Sequence, residues 1–485
     1  MLYNWTVNRL VLLFGGIMKA FLNKNRNFIF CCVIIAAVYL LDSLVFFSQL
    51  YKMYDLFSPK TISAVSTGWA YLAQGAGMLF FIILYKTRSQ ISAKKVFQVV
   101  LFLLEVPVII VSILIPDKTL LMCMIVVLNI IVGLHTGFTF TLAAAHVATS
   151  RLGFCYGLAY AVGAFGTWLI SVINGGVMTS YRIIFIDSLI IALVVVVILV
   201  YRDAVKDKKY ADGGTQAVSA LKPDTDRGRK VLILMCVVIA IMAPISSIGT
   251  NNNLYLEYCQ EFDLLAQRCF YAVGLIAAGL IYDKNRKIGG ICTVVSLIYP
   301  TLLIMIYRES GMVTLVIGLS YAILGFFAVY RAASFMTWAA ESDRLHLAPL
   351  GLAVSRICEA IAVLVIIETG CGEFASVILV SVMFIPLVIL FFMMVREKYA
   401  PTAGDRAAEP PKEISADERR ASFAKQYGLT RREEEVAMFL SEGRSNGEIA
   451  EILQLSENTV RFHVSNVLKK TGMKDRNEVS RAYRL

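Results

Sequence analysis

Near its end the chain reads LTRREEEVAMFLSEGRSNGEIAEILQLSENTVRFHVSNVLKKTGMKDR, Leu429 to Arg476. Start and stop signals mark three helices in this stretch. Thr430 with Glu433 makes a capping box, in which hydroxyl and carboxylate each take up an otherwise unpaired amide. The helix it opens carries Val436, Phe439 and Leu440 on one face, and Gly443 can end it in the left-handed conformation. Ser445 with Glu448 is a second capping box, opening a short helix with Ile449, Ala450 and Leu453 inward. Ser456 caps a third, longer helix that Gly472 ends. Asp475 with Glu478 starts a last short helix, which makes the tail a four-helix unit.

The third helix has two faces. Val460, Val464, Val467 and Leu468 recur at i, i+4, i+7 and i+8 and form one apolar stripe. Asn458, Arg461, Phe462, Ser465 and Lys469 lie opposite. A short helix turned tightly onto a longer one is a helix-turn-helix, whose second helix fits the DNA major groove. On caps and periodicity alone, a small soluble bundle with a solvated charged face is an equal reading.

The residues themselves favour the first. The tail resembles the LuxR-type helix-turn-helix of bacterial transcription regulators through Leu429, Thr430, Arg432, Glu433, Val436, Gly443, Ser445, Asn446, Glu448, Ile449, Ala450, Leu455, Ser456, Thr459, Val460, His463, Val467, Lys470 and Arg476. The resemblance covers residues 429–485 and implies double-stranded DNA as partner, bound as a homodimer on an operator. Carried over by position, Arg461, Phe462 and Ser465 face bases. Thr459, His463 and Lys469 approach the backbone, and Ser456 and Asn458 complete the contact set at the helix start. Two positions depart from the family pattern. Thr471 stands where leucine is usual, and Phe462 is large for a base-facing site.

Upstream the composition changes. Over all 485 residues, 58% are hydrophobic and only 17% charged, where a soluble domain carries about 25% charged residues. The mean hydropathy is +0.69. Twelve apolar stretches fall at 28–49, 63–85, 96–115, 119–146, 154–177, 183–201, 231–250, 264–282, 288–307, 311–338, 350–368 and 375–395. Each is near the roughly 20 residues that cross a bilayer core. The expected fold is therefore all-α, a polytopic twelve-helix membrane bundle followed by the four-helix tail. The segments are 1–27, cytoplasmic or interfacial; 28–201 and 231–395, two six-span halves; 202–230, a cytoplasmic loop; 396–428, a linker with three prolines; and 429–485, the DNA-binding tail. A helix is expected near Ser415–Tyr427, and Met18 offers a second start to the chain.

Loop charge sets the orientation. Lys86, Arg88, Lys94, Lys95, Arg151, Lys284, Arg286, Lys287, Arg344 and the many basic residues of 202–230 lie on one side. Lys52, Lys60, Lys118, Arg182 and Arg308 lie on the other. Both chain ends are thus expected in the cytoplasm of a bacterial cell, with the bundle in the cytoplasmic membrane among its lipids. The six-plus-six layout resembles the major facilitator superfamily. So does GLIYDKNRK, Gly279 to Lys287, whose Gly279, Asp283, Lys284 and Lys287 partly match that superfamily's loop. The corresponding YKTRSQISAKK lacks the glycine and the aspartate. In carriers that loop gates alternating access, so its loss in one half points away from transport.

Net charge is +11, but residues 429–485 hold 10 Lys and Arg against 9 Asp and Glu, a net of +1, so +10 belongs upstream. No phosphate-binding loop, nucleophile elbow, HExxH or paired-carboxylate motif is present, so no catalytic residue, metal ligand or cofactor is expected. Ten cysteines are scattered, with Cys259 and Cys371 the one pair placed to meet in outer loops. Polar residues near span centres are the remaining signal: Asp42, Glu105, Asn129, His135, Arg331, Arg356 and Glu359. Ionisable groups at that depth face protein or water. Arg356 and Glu359, one turn apart, are expected to pair. Arg331 is expected to meet a small-molecule ligand that Tyr330 and Trp338 stack against, with Arg356 and Glu359 beside it. Trp69, Tyr71, Tyr156, Tyr160 and Trp168 are further cavity candidates. Three readings stay open: a membrane-embedded sensor-regulator, a working transporter that regulates its own operon, and a membrane anchor for DNA.

Overall fold

The computed structural model describes residues 25–92, 95–114, 117–176, 181–200, 226–251, 267–298, 313–370, 373–399 and 423–484. Among these every regular element is helical, in two compact units divided between Ala400 and Pro401. The outer-loop cysteine pair, the first 24 residues and most of the 202–230 loop lie outside the described residues.

The first unit contains α1 (Arg26–Leu56), α2 (Ala70–Ser92), α3 (Lys95–Leu114), α4 (Lys118–His146), α5 (Leu152–Ile173), α6 (Tyr181–Val200), α7 (Asp226–Asn251), α8 (Gln267–Lys284), α9 (Arg286–Ser296), α10 (Val313–Glu341), α11 (Leu350–Thr369) and α12 (Glu373–Tyr399). Each falls on one expected span. Ten stretches among the described residues are long and apolar enough to cross a membrane, and the protein is a membrane protein. The two that fall short are α8 and α9. The first is less apolar because Gln267 and Arg268 at one end and Asp283 and Lys284 at the other fall within its 18 residues. The second opens on Arg286 and Lys287, and residues 299–307 of its expected span lie outside the described residues.

Helix crossings in the bundle are made by small residues, as close packing without a hydrophobic drive requires. On α5, a Cβ at Gly157 would strike the Leu275 carbonyl of α8, and Gly153 lies against Gly279 in the same way. In the second half Gly274 and Gly325 meet where α8 crosses α10. Large apolar side chains cover the outward faces instead: Phe185, Leu189 and Leu193 on α6, Val382, Ile385 and Ile389 on α12. That is the pattern of helices solvated by lipid.

Before α2 the chain forms a short helix, Pro59–Ser63, capped by Ser58, and then a π-helical turn, Ala64–Trp69. A π turn widens the backbone by one residue per turn and re-aims its side chains. Here it places Ser66 and Thr67 on the wall of an internal cavity.

The second unit comprises α13 (Arg431–Ser441), α14 (Asn446–Leu453), α15 (Glu457–Thr471) and α16 (Arg476–Arg484). Its core is Val436, Ala437, Leu440, Ile449, Val460, Val467 and Val479. Phe423 also belongs to that core, packed on Tyr427 and Tyr483. Residues 423–427 are helical, so the end of the expected linker is part of the tail unit. At its other end, residues 396–399 extend α12.

Candidate functional site

The tail's caps have the geometry their spacing implies. The Glu433 carboxylate accepts from the Thr430 amide at 2.8 Å and its hydroxyl at 2.9 Å. Glu448 accepts from the Ser445 amide at 2.7 Å while Ser445 Oγ accepts from the Glu448 amide at 3.3 Å. Backbone and hydroxyl donors from Ser445 hold Glu448 below the usual carboxylate range. Burial pushes Glu433 up, yet bonds from Lys470 and Thr430 prevail and hold it below that range too. Ser456 Oγ caps α15 by accepting from the Thr459 amide at 3.1 Å. Gly443 and Gly472 both have positive φ, as helix-ending glycines should. The turn between α14 and α15 is made differently. Gln454 takes the left-handed conformation, φ 54°, a position no glycine marked.

The expected contact face of α15 is open. Ser456, Asn458, Arg461, Phe462, Ser465 and Lys469 are exposed, and Thr459 and His463 are partly so. Phe462 stands out from it with 63% of its surface in solvent. Arg461 is not idle there: its Nη2 donates to Glu457 Oε1 at 2.7 Å, one turn back. Two residues on which the resemblance rested are scaffold. Lys470 Nζ donates to Glu433 Oε2 at 2.6 Å and to the Gly428 carbonyl at 3.1 Å, tying α15 to the α13 cap. Arg476 donates to the Arg444 carbonyl and fixes the start of α16 to the end of α13.

The profile of "Bacterial regulatory proteins, luxR family" matches residues 428–482. The tail is a LuxR-type DNA-binding domain. Within it the chain is 48% identical over 56 residues to YhcZ, an uncharacterized transcriptional regulatory protein of Bacillus subtilis (12% of this chain, 26% of that protein). It is 50% identical over 50 residues to the transcriptional regulatory protein DegU of Brevibacillus brevis (10% and 21%). The chain thus spans about a quarter of the length of these relatives, their LuxR-type part. The helical unit compares with other proteins. The human organic anion transporter MFSD10 superposes with a TM-score of 0.54 at 12% identity, over 76% of this chain and 99% of that one. The POT family transporter PepTSo gives 0.51 at 13% identity, over 77% and 98%. The bundle therefore has the fold of the major facilitator transporters, joined in one chain to a LuxR-type domain.

Ahead of the LuxR-type domain in sequence, the bundle contains a half-open cavity of about 290 Å³. Its wall includes Arg331 of α10 and Arg356 and Glu359 of α11, together with Tyr71, Tyr160, Tyr271 and Tyr321. The expected Arg356–Glu359 pair is present, and Arg331 joins it. Glu359 is shared: Oε1 accepts from Arg331 Nη1 and, at 2.8 Å, from Ser355 Oγ, while Oε2 accepts from Arg356 Nη1 at 3.0 Å. Arg331 is thus pinned to α11 rather than free. The two guanidiniums also lie over rings, Arg356 on Tyr71 at 3.9 Å and Arg331 on Phe327 at 5.0 Å.

Tyr330 and Trp338 do not reach the cavity. Tyr330 precedes Arg331, a step of about 100° back around α10, and packs toward Tyr282 and Phe391. Trp338, two turns further along, is fully buried with its indole N–H unbonded. Of the other aromatic candidates, Tyr71 and Tyr160 line the cavity. Tyr156 is buried with its hydroxyl 2.8 Å from that of Tyr39. Trp69 faces outward, and Trp168 packs on Phe165. In the first half Glu105 and His135 meet at 3.6 Å, with His135 stacked on Phe102, and Asn129 donates to its own helix. Arg268, which the sequence analysis did not single out, lines the cavity too.

At one end of the bundle the two halves are clasped. Asp283 of α8 accepts the Gly153 and Phe154 amides of α5 at 2.8 and 2.7 Å. Arg286 bridges to Glu341 of α10 and donates to the Thr149 carbonyl at 3.2 Å. The partial loop match thus corresponds to a physical lock.

The LuxR-type face carries a direct prediction. Arg461→Ala should cost about 1–3 kcal/mol at the specific site and relax specificity, as for a base-reading arginine. Lys469→Ala should weaken all DNA about equally and flatten the salt dependence. Titration of operator and random DNA at several salt concentrations separates the two. An unchanged specificity ratio in Arg461→Ala would remove that residue from the base-reading set.

Proposed function

We propose that the protein is a membrane-embedded bacterial transcription regulator. A twelve-span bundle senses a small molecule, and its state controls whether the LuxR-type domain binds its operator as a homodimer. One observation carries this reading: a DNA-binding domain and a transporter-fold bundle with a charged, aromatic cavity share one chain. A domain with net charge +1 gains from pairing, because two copies double its phosphate contacts. The bundle can act on the domain only if the ligand favours one of two conformations. Moving a 1:99 balance to 99:1 takes about 5.5 kcal/mol of differential affinity, and buried charge is the strongest source of such a difference.

Both ends of the chain are placed in the cytoplasm on the loop charges. A thiol-reactive probe applied from outside should therefore label a cysteine at Asn252 and not one at Gly213. The reverse pattern would separate the domain from DNA and sink the proposal. Expression profiling of cells with and without residues 429–485, across small-molecule panels, tests the regulator itself; identical profiles under every compound would refute it.

A second reading, a facilitator-type transporter carrying a regulatory tail, is favoured by the Asp283 and Arg286 clasp, which joins the halves where a rocking carrier must open. Substrate uptake into vesicles containing the purified protein would establish it.

A further inference from the structure

The cavity wall is unbalanced in charge. Among the described residues it holds three guanidiniums, Arg268, Arg331 and Arg356, and one carboxylate, Glu359. Glu359 serves Arg331 and Arg356. Asp42, the next acid toward Arg356, is not part of the wall. Arg268 has no acid within ion-pair distance among the described residues. Its Nη2 donates to Ser43 Oγ at 2.6 Å and its plane lies 4.9 Å from the Phe47 ring centre. The Nε–H groups of all three arginines are shut away from solvent without an acceptor. A guanidinium at this depth is costly unless an anion meets it, and a planar donor fork suits an oxyanion. Around it stand phenolic and phenyl rings, Tyr71, Tyr160, Tyr271, Tyr321 and Phe47. A space of about 290 Å³ lies at the small end for ligand sites.

Resting on the sensor reading above, we infer that the ligand is a small aromatic acid of one or two rings, its oxyanion head on Arg268 and its ring among the tyrosines. Glu359 keeps the other two arginines paired, so selectivity for the acid group falls to Arg268. A carboxylate and a phosphate ester present the same oxyanion chemistry, and separate probes distinguish them.

The test uses the full chain in lipid nanodiscs. Thermal stabilisation is read with matched one- and two-ring probes: aryl carboxylates, aryl phosphates, the neutral amides and the arylmethylamines. Acids should stabilise the protein and the amides and amines should not; whether carboxylates or phosphates act names the head group. Arg268→Gln should weaken the best acid by roughly tenfold or more. Arg268→Lys, with the charge kept and the fork lost, should fall between. Size-exclusion profiles and unliganded melting check that each variant folds. Stabilisation by amines or amides, no stabilisation by any acid, or acid binding unchanged in Arg268→Gln would each overturn the inference. Reporter output in cells keeps it separate from the sensor reading. A neutral or cationic compound that alters transcription leaves the sensor standing and removes the acid. If no compound of any charge alters transcription while acids still bind, the sensor reading is removed and the site remains.

Discussion

Replacing Glu359 by alanine should leave little folded protein in the membrane. Its carboxylate is the shared acceptor for Arg331, Ser355 and Arg356 and joins α10 to α11. Removing it leaves two guanidiniums facing each other in a low-dielectric interior. Breaking one buried pair costs about 3–5 kcal/mol, against a typical total stability of about 5–15 kcal/mol. Arg356→Gln is the milder change, since Glu359 keeps Arg331 and Ser355. Immunoblots of membrane fractions and melting in detergent measure the series. Wild-type abundance and melting in Glu359→Ala would show that the carboxylate holds nothing together.

The second large effect is expected at Asp283. Two backbone amides of α5 are capped by a carboxylate 130 and 129 residues away on α8. Hydrogen bonds to a charged group contribute about 1.5–3 kcal/mol each. Asp283→Ala should therefore shift the balance between closed and open arrangements at this end by about a hundredfold or more. Cys155, fully buried two residues beyond Gly153, is a native reporter. Its maleimide labelling, mapped by mass spectrometry, should rise sharply in Asp283→Ala and partly in Asp283→Asn, which keeps one acceptor oxygen. Labelling that stays at the wild-type level would mean that the clasp does not hold the halves.

What could be read without coordinates was local. A capping box spans three residues and an apolar stripe a few turns, so Thr430, Ser445, Ser456 and the face of α15 were legible from spacing. Membrane spans were legible because a bilayer imposes length and apolarity on each helix separately. The cavity was not. Arg268 matters because Ser43, 225 residues away, and Phe47 bring α1 against it, and no periodicity in one helix reveals that. Lys470 read as part of a motif, but its partner Glu433 lies 37 residues upstream, so its role waited on the fold. Tyr330 misled for a simple reason: adjacency in sequence is a 100° turn on a helix, and a neighbour of Arg331 looks elsewhere.

The pair formed by Arg461 and Glu457 has a consequence for how a target gene is found. A free regulator can scan the chromosome by sliding on phosphates; a regulator fixed in a bilayer must wait for DNA to arrive. For such a reader, lingering on each passing stretch would waste its few encounters. On the proposed regulator function, a base edge must compete with Glu457 for Arg461, and an exposed pair of this kind, worth about 0–1 kcal/mol, sets a low threshold. Glu457→Gln frees Arg461 and removes one negative charge from the face, so random and matching DNA alike should bind modestly tighter.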